Sequence, residues 1–387
     1  MENIVLLAAL SALIMLSPFL SRLSGLPVAV TEIILGAIAA FFGFFAEGDA
    51  LFDSIATVGF LYLMFLAGME VDLREFGAIK RSLWRKIAVF FAILYALSIA
   101  IAFFLGLSPI YIAALPTISV GMIAVLIHSR GRSEWLSFGL KLGVAGELIS
   151  ICVLTVLSAY VQLKGFSFSF VQTMATLLFV LICVWLFFYV SAALFWWFPK
   201  LKKLIMPEQE SFDEDVRIAF ALFFALVAAA IYLDLELVLG AFVAGVFIAN
   251  HFEHKADLPK KLGAFGFGFL TPIFFLHVGG TLDLRLIAQQ DIMIKAALIL
   301  FAMTSIRVLA SFVAFRSTFS AIERLQVGLS QSMPLTFLVA IATIGHNGKL
   351  LTESEYSAFI VASMAEAALI MIVIKWLDKR KNKRLVG

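Results

Sequence analysis

Residues 32–37 read EIILGA, and residues 236–241 repeat this pattern as ELVLGA at an offset of 204 residues. Three further pairs occur in the same order, with offsets of 211, 218 and 219 residues: GMEVDLR (68–74) with GGTLDLR (279–285), Pro116 with Pro334, and Glu147 with Glu366. Four matches in one order indicate an internal repeat rather than chance similarity between helices rich in Leu, Ala and Gly.

The composition indicates which solvent surrounds the chain. Of 387 residues, 63% are hydrophobic and 14% are charged, and the mean hydropathy is +1.05. Soluble domains carry about a quarter charged residues, so this chain is expected to lie in lipid. A net charge of +3 is too small to indicate a nucleic-acid partner. Cys152 and Cys183 lie in apolar stretches without a disulfide framework or metal-ligand spacing, and no cofactor is expected.

Apolar stretches of about 20 residues, the length that crosses a bilayer, occur at thirteen places. The predicted spans are 4–21, 27–46, 51–70, 86–106, 108–127, 136–161, 169–197, 216–234, 236–250, 264–281, 291–315, 323–345 and 355–377. Lys and Arg concentrate in the odd-numbered loops and in the tail, which is typical of cytoplasmic segments. The pattern predicts an all-α polytopic protein of the cell inner membrane, with its N-terminus outside and its C-terminus in the cytoplasm.

Each matched pair joins one span to the seventh span after it. Because seven is odd, the two copies must cross the membrane in opposite directions, which is the inverted repeat of secondary transporters. The predicted organisation has a first six-helix repeat at 1–161, a connector helix and cytoplasmic loop at 162–215, a second inverted repeat at 216–378, and a basic cytoplasmic tail at 379–387.

Prolines interrupt two corresponding spans, Pro116 in the fifth and Pro334 in the twelfth. A proline removes a backbone donor and clashes with the preceding turn, and in lipid the freed carbonyl groups need partners in protein or in a wet cavity. Two broken helices paired by a repeat therefore predict a transport site at mid-membrane. Hydroxyl groups that could supply oxygen ligands surround the breaks, at Thr117, Ser119, Ser330, Ser332 and Thr336.

Three ionisable residues lie deep in predicted spans: Glu147, Arg307 and Glu366. Such residues usually face the bundle interior and pair with one another. Since burial disfavours a charged carboxylate, Glu147 is expected to hold a proton or a metal cation but not both, as an antiporter requires. Oxygen ligands suit sodium, lithium or potassium. Arg307 is expected to be a counter-charge, because a guanidinium does not release its proton, and Glu366 is either its partner or an ion ligand.

Three other polar residues in or near spans are interpreted structurally. Glu32 and Glu236 open the second helix of each copy and are interpreted as helix-start or interfacial residues. His277 suggests a pH sensor, although a single histidine in a membrane helix is more often a packing residue with one hydrogen bond.

The chain resembles the monovalent cation:proton antiporter-2 family, which includes bacterial sodium/proton exchangers and glutathione-gated potassium efflux systems. Three stretches carry the resemblance: GFLYLMFLAGMEVDLREF (59–76), LGAFVAGVFIAN (239–250) and LGAFGFGFLTPIFFLHVGGTLDL (262–284). The resemblance implies two crossed discontinuous helices in a core domain, a dimerisation domain, assembly as a homodimer, and an elevator-type movement of the core.

The family's acidic pair maps onto Gly146 and Glu147, and its basic residue in a later core helix maps onto Arg307. The second acid of the pair therefore falls on Glu147, whereas Gly146 can neither bind a proton nor hydrogen-bond through a side chain. With one titratable group at this pair, we expect electroneutral exchange of one proton for one sodium or potassium ion bound at Glu147, with Pro116, Thr117, Ser119, Gly146, Pro334 and Thr336 in support.

Two other functions stay open at this point. One is the membrane subunit of a glutathione- or ligand-gated potassium efflux system, whose separate cytoplasmic regulatory subunit would bind the basic tail. The other is a symporter of organic anions on the same fold. An enzyme is not expected, because the spans contain no nucleophile–base pair and no His/Asp metal cluster.

Overall fold

Fifteen α-helices make up the described part of the chain, which contains no strand. The structure is a computed structural model and describes residues 2–45, 49–71, 81–118, 123, 133–163, 168–198, 200, 213–233, 237–252, 255, 257–282, 285, 289–332 and 334–386. In chain order the helices are α1 Glu2–Ser24, α2 Val28–Phe41, α3 Ala50–Met69, α4 Arg81–Phe104, α5 Ile110–Ala114, α6 Glu134–Gln162, α7 Phe168–Trp197, α8 Glu214–Tyr232, α9 Leu237–His251, α10 Leu258–Phe265, α11 Thr271–Gly280, α12 Gln290–Ala314, α13 Ala321–Ser330, α14 Leu335–Asn347 and α15 Glu353–Val386. A π-helical turn, Gly266–Leu270, joins α10 to α11.

Eight helical segments of the described residues are long and apolar enough to cross a membrane. Every predicted span contains helix, and α6, α7 and α12 agree with the predicted bounds to within two residues. Differences arise at the ends of helices. α2 stops at Phe41, because the chain turns through Gly43, whose φ of +76° is readily adopted by glycine. α15 continues to Val386, through the segment predicted as a tail.

The chain forms two compact units, each assembled from three separate stretches of sequence. Unit 1 comprises Met1–Met15, Phe44–Gly77 and Ser158–His277, and unit 2 comprises Leu16–Gly43, Ala78–Leu157 and Val278–Gly387. Both units therefore draw residues from the first and the second half of the chain.

Glycines allow the helices of unit 1 to pack so closely that their backbones are in contact. α9 packs between α3 and α8. A Cβ atom at Gly245 would overlap the carbonyl oxygen of Phe65, and one at Gly68 would overlap that of Phe242. Small residues at helix crossings are the usual means of close packing in membranes. Tyr62 adds a buried hydrogen bond, since its hydroxyl group donates to the backbone of α10 at 3.1 Å.

Unit 2 is organised around α12, which packs against α4, α13 and α15. α14 packs against α5 and α15. α13 begins with a capping box, in which Ser320 and Glu323 satisfy each other's backbone N–H groups. Because α4, α13 and α15 cover one side of α12, side chains on that side, including Arg307, are buried within the protein.

Candidate functional site

The first interruption of a helix lies at Pro116. α5 ends at Ala114, and residues 115–118 are not helical. Thr117 is buried, and its hydroxyl group donates to the carbonyl oxygen of Ala113 at 2.7 Å. This bond closes the last turn of the helix from its C-terminal side.

Ser150 on α6 binds the unwound residue Ile118 through both of its backbone groups. The N–H group of Ile118 donates to Ser150 Oγ at 3.1 Å, and the same hydroxyl group donates to the carbonyl oxygen of Ile118 at 3.3 Å. Backbone groups that leave a helix at membrane depth need such partners. One serine thus stabilises the non-helical conformation.

Gly146 lies where α6 contacts this unwound segment. A Cβ atom at Gly146 would be 2.8 Å from Cβ of Ile118, 2.9 Å from its Cγ2 and 3.0 Å from its Cδ1. These distances are shorter than carbon atoms tolerate without displacement. The absence of a side chain at Gly146 is therefore a condition for the close approach of Ile118 to α6.

The second interruption lies between α13 and α14, just before Pro334. α13 ends at Ser330, and Gln331 and Ser332 are not helical. The side chain of Gln331 reaches α6, where Nε2 donates to the carbonyl oxygen of Gly139 at 3.1 Å. Nε2 also donates to Ser330 Oγ at 3.1 Å.

Both interruptions contact the same face of α6. At about 100° per residue, Gly146 and Ser150 lie within about 20° of Gly139 around the helix axis. Glu147 follows Gly146 and lies on the neighbouring face, and its side chain is 0% exposed. The carboxyl group predicted to bind the ion therefore lies deep in unit 2, on the helix that both breaks contact.

Arg307 connects α12 to the first break and to α15. Its Nη2 donates to the carbonyl oxygen of Thr117, and its Nη1 lies 3.4 Å from Oε1 of Glu366. Thr304 Oγ1 donates to the same carboxylate oxygen at 3.1 Å. Arg307 and Glu366 are both 0% exposed, so the two opposite charges compensate each other where water cannot solvate them.

Some of the remaining predicted site residues lie in the part of the chain that the structure describes, and others lie outside it. Pro334 precedes α14 as its N-cap. Ser330 and Ser332 are buried, but their hydroxyl groups donate to carbonyl oxygens of α13 itself, at Val327 and Gly328. Ser119, Glu236 and the side chain of Thr336 lie outside the described residues.

Two residues outside the site have environments that the sequence left open. Glu32, near the start of α2, is 3% exposed and accepts a hydrogen bond from Ser17 Oγ at 3.0 Å, so its carboxyl group is buried within the protein. His277 belongs to unit 1, where Nε2 lies 2.8 Å from Oδ1 of the half-exposed Asp53 and the ring packs against Phe52.

Sequence reasoning missed two residues that shape the site, Ser150 and Gln331. A signal for Ser150 exists, because Gly139, Gly146 and Ser150 are small residues spaced for one helix face. Gln331 stands between two serines just before Pro334, and a polar residue beside a broken helix is as strong a signal as its hydroxyl neighbours.

Comparison with known proteins relates the whole chain to ion exchangers. A family model described as "Sodium/hydrogen exchanger, transmembrane" matches residues 7–379. GerN of Bacillus cereus, named as a Na⁺/H⁺-K⁺ antiporter, is 25% identical over 93% of this chain and 92% of its own length. YjbQ of Bacillus subtilis, named as a putative Na⁺/H⁺ antiporter, is 26% identical over 98% of this chain, which spans 63% of the length of YjbQ.

A solved structure shows the same fold. The sodium proton antiporter MjNhaP1 from Methanocaldococcus jannaschii matches with a TM-score of 0.64 over 97% of both chains, at 14% sequence identity. This likeness concerns the arrangement of the helices.

Proposed function

We infer that this chain, which belongs to the transmembrane sodium/hydrogen exchanger family, exchanges a monovalent cation for a proton, with Glu147 binding the two in turn. Family membership makes it a multi-pass membrane transporter rather than an enzyme. The observation that carries the proposal is the position of Glu147, fully buried on the helix that both interruptions contact.

The proposed mechanism follows from the cost of burying a charge. A carboxylate away from water is stabilised either by a bound proton or by a bound cation. With either a proton or a cation bound, the carboxylate site carries less net charge than it does without a ligand. Protonation releases the cation and cation binding releases the proton, so each ligand excludes the other.

The proposed ion is sodium or potassium. Carboxylate, hydroxyl and carbonyl oxygens are hard ligands that suit these cations. The name of GerN includes both sodium and potassium, which supports testing potassium as seriously as sodium. In this proposal Thr117, with Ser119 and Thr336, supplies further oxygen atoms near the breaks at Pro116 and Pro334.

Three finer features belong to the same proposal. Exchange is electroneutral, because Gly146 offers no second titratable group beside Glu147, while Arg307 and Glu366 form a compensated pair. Alternating access is of the elevator type, supported by the location of all described site residues in unit 2. The protein is a homodimer in the inner membrane, with its N-terminus outside and its C-terminus in the cytoplasm.

The test is exchange in proteoliposomes that contain a pH-sensitive dye. Addition of sodium or potassium to the wild-type protein should move protons against the cation, and Glu147→Gln should abolish this movement. Glu32→Gln is the matched control, since it neutralises another buried carboxyl group of unit 2 and keeps an oxygen that accepts from Ser17. Undiminished exchange by Glu147→Gln would remove Glu147 from the mechanism.

A further inference from the structure

The amide group of Gln331 is oriented by its surroundings. Its nitrogen contacts the carbonyl oxygen of Gly139, which can only accept a hydrogen bond. Rotation of the amide would place Oε1 against that carbonyl oxygen at 3.1 Å, where two acceptors repel each other. The hydrogen bonds therefore define which side of the group is nitrogen and which is oxygen.

The oxygen of this amide is buried without a compensating contact. Gln331 is 0% exposed, and Oε1 accepts no hydrogen bond within the part of the chain that the structure describes. A buried polar atom in this condition is destabilising, because it has lost its hydrogen bonds to water without gaining others. An occupant that binds this oxygen would remove the cost of leaving it buried without a partner.

The local electrostatics favour a positive occupant. Gln331 is the C-cap residue of α13, whose ten residues direct the negative end of the helix dipole toward it. An amide oxygen does not carry a proton under physiological conditions, so it can bind a cation at any pH at which the protein is folded. Amide oxygens are common ligands of hard cations.

We propose that Oε1 of Gln331 is a ligand for the monovalent cation, at a subsite beside the break between α13 and α14 that is separate from Glu147. Gly139, which anchors the amide, precedes Glu147 by eight residues on α6, or about 12 Å along the helix axis. The subsite lies toward the N-terminal end of α6 and contributes to cation affinity and selectivity. This inference rests on the proposed cation exchange.

Direct binding tests the subsite without requiring transport. The purified protein in detergent is titrated with sodium, potassium and lithium chloride, and the thermal unfolding midpoint is recorded at each concentration, with choline chloride as the ionic-strength control. Gln331→Leu, which removes the oxygen at similar volume, should weaken cation stabilisation by about tenfold or more in concentration.

Thr155→Ala is the control, because Thr155 is buried and its hydroxyl group donates within α6, to the carbonyl oxygen of Ile151. It should bind cations as the wild type does. The midpoint without added cation shows whether each variant is folded. If Gln331→Leu, folded, responds to cations like the wild type, the subsite is refuted.

Transport measured on the same proteins separates the two proposals. Wild-type exchange together with unchanged binding by Gln331→Leu refutes the subsite alone. If cations stabilise the wild type but not Gln331→Leu, and the wild type does not exchange, the subsite is supported and the exchange is refuted. A wild type that neither binds nor exchanges monovalent cations refutes both.

Discussion

Arg307 donates through Nη2 to the backbone carbonyl oxygen of Thr117, so a charge held by α12 supports the unwound segment after α5. The same guanidinium group faces Glu366 through Nη1. Arg307 thus has two separable effects: it compensates a buried carboxylate, and it satisfies a carbonyl group that the interrupted helix leaves open.

Substitution of Arg307 should separate these effects. Arg307→Met leaves Glu366 buried without its counter-charge, which we expect to lower the stability by about 3–5 kcal/mol. The double variant Arg307→Met/Glu366→Gln should recover most of the thermal unfolding midpoint. It should not recover exchange, because the Thr117 carbonyl group still lacks its donor. Restored exchange in the double variant would show that charge compensation alone matters.

A side chain at position 146 should be poorly tolerated. Gly146→Ala places a methyl group within 2.8–3.0 Å of three atoms of Ile118, and overpacking of this kind costs about 1–3 kcal/mol. Gly268→Ala is the control, since a Cβ atom there meets nothing within 4 Å. Adding Ile118→Ala should relieve the strain only in part, because Cβ of residue 118 remains. Thermal unfolding midpoints of the four proteins, including the wild type, check the order.

Removal of the Ser150 hydroxyl group should affect both stability and exchange rate. Ser150→Ala leaves the N–H group of Ile118 without its partner, and a buried donor left in this way costs about 1–3 kcal/mol. Thr155→Ala provides the comparison, because the hydroxyl group of Thr155 donates within α6, to Ile151. Unfolding midpoints and dye-reported exchange rates are measured for both variants. An equal loss in both would mean that the contact with Ile118 has no special importance.

Membrane potential should not change the rate of exchange. One proton exchanged for one monovalent cation moves no net charge, and Glu147 is the titratable group of its pair. Sodium-driven proton movement is followed with the pH dye while a gradient of the permeant anion thiocyanate, rather than of a candidate substrate cation, sets the potential inside proteoliposomes at zero or about −100 mV. Acceleration by the potential would require a second charge to move, and Glu366 would be the first residue to examine.

The interruptions of the helices could be predicted from the sequence, but their contacts could not. Pro116 and Pro334 each have a strong local effect on a helix, and the described helices end at Ala114 and Ser330, a few residues before them. The partner of Gln331 is Gly139, which is 192 residues away in sequence. No local pattern specifies such a pair. The packing of Gly146 against Ile118 depends on the same kind of contact between separate elements, whereas the family resemblance presents this glycine only as the place of the first residue of an acidic pair.

The environment of Glu32 shows a second limit of sequence reasoning. Its place near the start of an apolar stretch does not indicate its neighbours in space, and in the structure its side chain is buried and accepts a hydrogen bond from Ser17. Hydropathy locates a helix along the chain but does not reveal which face its neighbours cover. The inverted repeat and the thirteen-span topology stay predictions of the same kind.

The face of α6 that contacts both breaks has a consequence for how this stretch can change in length. Gly139 meets Gln331 and Gly146 meets Ile118, with seven residues from one contact to the other. Insertion or deletion of one residue would rotate one contact point by about 100° relative to the other and shift it by about 1.5 Å. Point substitutions at outward positions leave this spacing intact. Between the two contacts, the half-buried positions Leu140 and Lys141 should therefore accept changes of identity far more readily than the segment accepts a change of length.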